Sequence, residues 1–105
     1  MKRALVVACL LAACAASQPV RLVGEYGKQA GRYVFRDCAT GAELDVTMRS
    51  EALYTYLTKA QELNAQTSEM LVVEVDALPL GTYSGEQHYG IGRVHNVRRG
   101  GCSAV

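Results

Sequence analysis

The sequence predicts a small, mostly β domain with one helix: a five-stranded OB-like Greek-key barrel in the order β-β-β-α-β-β. Three observations lead there. Three stretches of alternating apolar and polar residues precede residue 50, one stretch of helical period follows, and two further alternating stretches close the chain. Barrels of the OB type carry their helix between strands three and four, which is where this helix falls. The order of elements gives no function by itself.

The first strand is expected from Pro19, with Val20, Leu22 and Val23 apolar and with Gly24 and Gly27 loosening it near a turn. Arg32 to Cys38 alternates again, and Ala39-Thr40-Gly41 supplies a hairpin turn into Leu44, Val46 and Met48. The period then changes. From Ser50 to about Asn64, Leu53, Tyr56, Leu57, Ala60 and Leu63 recur at helical spacing, with Ser50 as the expected N-cap and Glu51 in the first turn. An aromatic stripe at such spacing is core material in the first instance. After a loop over 65–69, Met70 to Leu78 alternates Leu71, Val73, Val75 and Ala77 against Glu74 and Asp76. Pro79 to Gly90 is rich in turn residues and is expected to be a long loop, leaving Ile91 to Val97 as the last strand.

The N-terminus sets the compartment. Lys2 and Arg3 precede ten apolar residues, Ala4 to Ala13. That length suits the roughly 7–15 residues of a secretory signal and falls short of the roughly 20 that span a bilayer. Leu11-Ala12-Ala13-Cys14 resembles a bacterial lipobox, which implies cleavage before Cys14 and lipidation of its thiol and amine. Two or more acyl chains are what stable anchoring requires. The alternative is an ordinary signal cut at a nearby alanine. The expected organisation is thus a signal peptide over residues 1–13, a lipidated tether over 14–19 and one domain over 20–105. Ala15, after the cysteine, lacks the aspartate of inner-membrane retention, so the outer membrane is the expected destination.

Removing residues 1–13 leaves 92 residues, nine of them basic and ten acidic. That is enough for one small domain. A net charge near −1 lacks the basic footprint of a nucleic-acid binder and gives no strong overall attraction to lipid headgroups. No nucleophile elbow, phosphate loop or metal-ligand spacing occurs, so neither catalysis, a cofactor nor a metal is expected. His88 and His95 lie seven apart across a glycine-rich stretch, the spacing of an ordinary surface pair. Arg93, Arg98 and Arg99 gather positive charge near the C-terminus. They read either as a solvated edge that discourages strand-to-strand association or as a contact patch for an acidic partner.

Of four cysteines, Cys9 leaves with the signal and Cys14 takes the lipid, so Cys38 and Cys102 remain. In an oxidising compartment the default for such a pair is a disulfide. Closing a loop of 64 residues would stabilise a small domain by roughly 4 kcal/mol on the chain-entropy model. A metal site would need further soft ligands, and a nucleophile would need a positioned base.

The stretches YVFRDCATGAELDV, EALYTYLTKAQ and MLVVEVDA, with GCS near the C-terminus, resemble the C-terminal domain of the NlpE family. These are outer-membrane lipoproteins of enteric bacteria linked to envelope stress and copper homeostasis. The resemblance runs from about residue 24 to residue 102 and implies an OB-like barrel. It also implies a bond between the cysteine of the D-C-A-T-G turn, Cys38, and the one near the C-terminus, Cys102. The family's N-terminal barrel, with its C-x-x-C motif and its kinase contact, has no counterpart in this sequence. The implied function is a non-enzymatic, membrane-anchored module that senses or contacts envelope proteins. A second resemblance, to periplasmic lysozyme-inhibitor lipoproteins, rests on Thr82-Tyr83-Ser84-Gly85-Glu86-Gln87-His88-Tyr89 as an inserted loop, with one residue too many before the tyrosine.

Overall fold

The computed structural model describes residues 18–104. The expected signal segment and Cys14 lie outside the described residues. Five strands, β1 (Val20–Gln29), β2 (Arg32–Asp37), β3 (Glu43–Met48), β4 (Leu71–Tyr83) and β5 (Glu86–Arg98), form a closed barrel in the order β1-β2-β3-β5-β4. One helix, α1 (Ser50–Glu62), lies between β3 and β4, and a short 3-10 turn, Cys102–Ala104, ends the described chain. Only the β3–β5 pair is parallel, as an OB-like barrel requires.

Closure depends on β1. Its first half pairs with β4 from Val20↔Ala77 to Tyr26↔Leu71, and its second half pairs with β2 from Gly24↔Asp37 to Gln29↔Arg32. Gly24 through Tyr26 are therefore paired on both sides. Neither glycine loosens the strand. A Cβ on Gly24 would stand 2.5 Å from the Phe35 ring and 2.6 Å from the Arg36 carbonyl, and one on Gly27 would stand 2.8 Å from the Glu69 carbonyl. Glycine serves close approach at these two sites. The turn comes later, at Ala30-Gly31, where both φ angles are positive, as a two-residue hairpin of the right twist demands.

The expected loop over 79–90 is instead the far half of a long hairpin. β4 runs to Tyr83 and β5 starts at Glu86, and Ser84-Gly85 alone make the turn with φ of 51° and 82°. Pro79, which has no N–H to give, sits beside a register shift between Pro79 and Gly81, where a ladder bond is lost anyway.

The core contains Tyr26, Phe35, Leu71, Val73, Val75, Ala77, Ile91, Val94 and Val97 from the strands, with Ala52 and Tyr56 from the helix. Each valine, leucine, isoleucine or phenylalanine among them, fully buried, is worth about 1.5–3 kcal/mol of transfer free energy. The helical period places Leu53, Ala60 and Leu63 against this core, whereas Leu57 stays half exposed. Arg49, not Ser50, occupies the N-cap position and makes no side-chain cap bond; Ser50 is already helical. Tyr56 meets Tyr26 edge-to-face at 4.9 Å and donates its hydroxyl to the Tyr26 carbonyl at 3.3 Å. Tyr26 in turn stacks on Tyr33 at 5.1 Å.

Candidate functional site

The D-C-A-T-G turn is built by its aspartate. Asp37 accepts from the Ala39 amide at 3.3 Å and from the Thr40 hydroxyl at 3.0 Å, while its own carbonyl takes the Gly41 amide at 2.7 Å. These short-range bonds fix the turn between β2 and β3. Cys38, on the turn's first residue, still donates its amide to Val23 of β1 at 2.9 Å, so its position is set by the barrel wall. The other half arrives from the chain end. Gly100 and Gly101 have φ of 112° and 70°, a backbone that side chains resist, and they turn the chain back after β5. The Cys102 amide then donates to the Glu25 carboxylate at 3.1 Å. Cys38 and Cys102 are disulfide-bonded with 5.3 Å between their Cα atoms.

The bond is half-buried and lines an open trough of about 410 Å³ with Arg21, Leu22, Val23 and Ala39. A disulfide on a trough wall is within reach of a soluble thiol, whereas one sealed in the core would be inert. What it holds is limited on one side. Arg99, three residues earlier, pairs with Glu69 at 2.7 Å and donates to the Asn64 carbonyl at 3.1 Å. This clamp fixes the end of β5 to the loop after α1. It holds the Glu69 carboxyl below the usual range, chiefly through the Arg99 hydrogen bond.

The three expected arginines do not form one patch. Arg99 is engaged with Glu69, and Arg93 lies six residues earlier, about 20 Å along an extended strand. Arg93 lines a groove with Thr47, Arg49, Asp76 and Leu80. Neither Arg93 nor Arg98 has an ion-pair partner among the described residues.

The two histidines are kept apart in separate carboxylate pairs. His95 Nε2 lies 2.9 Å from Asp76, which also accepts from Arg21 at 2.9 Å. The His95 bond first, then Arg21, lowers the Asp76 pKa. His88 sits between two residues of β3, with Nε2 2.8 Å from the Thr47 hydroxyl and Nδ1 2.9 Å from the Asp45 carboxylate. The order carboxylate, imidazole, hydroxyl matches a catalytic relay. Its first link is poor, because Nδ1 makes no directed hydrogen bond despite the short distance. A relay needs that bond to fix the imidazole tautomer. The trio acts as a clasp between β3 and β5. No group of three or more metal-ligating side chains converges among the described residues.

Two of these features were open to sequence reasoning. Asp37 followed three residues later by Thr40 is a legible turn signature, and Asp45-x-Thr47 on a strand places both side chains on one face. Glu25, 77 residues from Cys102, carries no local signal.

No family model and no curated protein sequence matches the chain. Among solved structures it is similar to the crystal structure of the Cpx pathway activator NlpE from Escherichia coli, with a TM-score of 0.64 and 20% identity. The match covers 85% of this chain and 45% of that one, so the chain spans less than half the length of the protein it resembles. At this identity the likeness is one of fold, and it agrees with the NlpE-type C-terminal barrel expected from the sequence. The chain is an OB-like barrel similar in fold to NlpE, with the segment after β5 tied to the β2–β3 turn by a disulfide.

Proposed function

We propose that this chain is a non-enzymatic envelope module, lipid-anchored through Cys14 at the periplasmic face of the outer membrane, whose Cys38–Cys102 bond reports on oxidative folding to a protein partner. The observation that carries the reading is the placement of that bond. It joins the turn between β2 and β3 to the segment after β5, on the wall of an open trough, in a fold similar to a Cpx pathway activator. An unformed bond would leave the segment after Arg99, among the described residues, with the Cys102 amide to Glu25 as its one hydrogen bond to the barrel wall. A partner that recognises the loosened end would then read the redox state without any chemistry by the domain itself.

The lysozyme-inhibitor alternative is not favoured. The residues that would form its inserted loop are paired from Thr82↔Gln87 to Tyr83↔Glu86 around a two-residue turn. The test is an envelope-stress reporter strain expressing the wild-type chain or Cys38→Ser at equal levels. The proposal expects a changed output from Cys38→Ser. Equal output from the two would contradict it.

A further inference from the structure

The barrel carries a second surface, remote in kind from the disulfide. A groove of about 430 Å³ is floored by Gly90 and Gly92 of β5 and walled by Pro19, Leu78 and Leu80. Leu80 lies across the strand over Gly90: a Cβ there would stand 3.1 Å from its Cδ1. The face nonetheless remains open, with Leu80 49% exposed and, at the hairpin end, Tyr83 63% exposed against His88. Pro19, on the groove wall, directly precedes β1, so the chain enters the barrel at the rim of this groove.

The charges at the rim are unequal. Asp76 is already shared between Arg21 and His95. Arg49 and Arg93 have no ion-pair partner among the described residues. The face therefore offers exposed apolar side chains and an interfacial tyrosine beside two guanidinium groups, although the domain as a whole is close to neutral.

We infer that this face docks on the phospholipid surface beside the anchor, with Leu80 and Tyr83 entering the interfacial region and Arg49 and Arg93 meeting headgroup phosphates. Two facts select a bilayer as occupant. Cys14 precedes Pro19 by five residues, so an anchor there holds the groove rim within about 17 Å of the membrane. Apolar side chains flanked by arginine and an aromatic residue are the chemistry that an anionic lipid interface takes up. Docking this weak would not hold a free domain, but the tether makes it intramolecular and supplies the local concentration.

The inference rests on the anchored reading of the chain, and one experiment separates the two. The chain has no tryptophan, so Leu80→Trp gives a single indole on the face and Tyr54→Trp a control on the exposed side of α1. The full chain, processed in cells, is reconstituted into vesicles of phosphatidylethanolamine and phosphatidylglycerol with brominated acyl chains. The expected result is a blue-shifted emission from Trp at position 80, quenched severalfold relative to unbrominated vesicles, with no quenching at position 54. Adding Arg49→Glu and Arg93→Glu should abolish most of the quenching. Protein that sediments with the vesicles while position 80 stays unquenched overturns the docking and leaves the anchor intact. A blue shift without quenching also overturns it, since a second copy or another protein would then cover the groove. Quenching unmoved by the two charge reversals overturns the headgroup contact. Failure of the wild-type chain to sediment with vesicles refutes the anchored reading and this inference with it.

Discussion

Asp37 shows how much one side chain decides. Its two carboxylate contacts and its carbonyl bond hold the turn that presents Cys38. Replacing Asp37 with alanine should cost about 1–3 kcal/mol in a urea melt, since two donors lose their acceptor in a half-buried site. Gly24 makes a similar case from absence. Gly24→Ala would press a methyl group into the fully buried Phe35 ring and should destabilise by about 1–3 kcal/mol, read by the same melt. The cysteine pair was legible because the other two cysteines fall in the stretch that reads as a signal and lipobox. Glu25 was not, because a contact across 77 residues leaves no trace in local spacing. Nor did spacing show that Arg99 is held by Glu69 while Arg93 lines the groove beside Asp76.

At the level of elements, alternation located β2, β3 and the inner half of β4, each of which puts one face on the core. It failed on the outer hairpin because Leu80 to Gln87 is exposed on both sides, next to a proline and with two glycines of its own. With no buried face there is no period to read, and Ser84-Gly85 is the only local sign of the turn. The helix was legible through Ala60, Leu63 and Tyr56 but its cap was not, since Arg49 supplies only backbone geometry there. The Tyr26–Tyr56 contact ties α1 to β1. Tyr56→Phe should remove one hydrogen bond and lower stability by about 1 kcal/mol with the ring packing kept. Burial pushes the Tyr56 phenol up to about 12 and raises that of Tyr26 as well. A raised folded-state pKa means the folded chain prefers the protonated phenol. Stability is therefore intact below about pH 10, where an exposed tyrosine ionises, and falls as pH rises toward 12. Thermal melts through that window should show this loss alongside the appearance of phenolate absorbance. Melting temperatures unchanged across the window would contradict the burial of these rings.

For the molecule as a whole, the order of elements was enough to anticipate the barrel, while the seam that closes it, β1 against β4, spans some fifty residues and emerges only in three dimensions. The disulfide adds a constraint over 64 residues, so reduction or Cys38→Ser should destabilise by roughly 2–5 kcal/mol. Because the Arg99 clamp is independent of the bond, hydrogen exchange should first rise after residue 99 and stay low in β4 and the inner part of β5. The central claim, an anchored barrel whose end is tied by one disulfide, is tested most directly by mass spectrometry of the native protein taken from cell membranes without reductant. The account predicts a mature chain beginning at an acylated Cys14, with the peptides of Cys38 and Cys102 joined. A chain beginning at an unmodified Ala15 or Ala16, or one with both Cys38 and Cys102 as thiols, would contradict it.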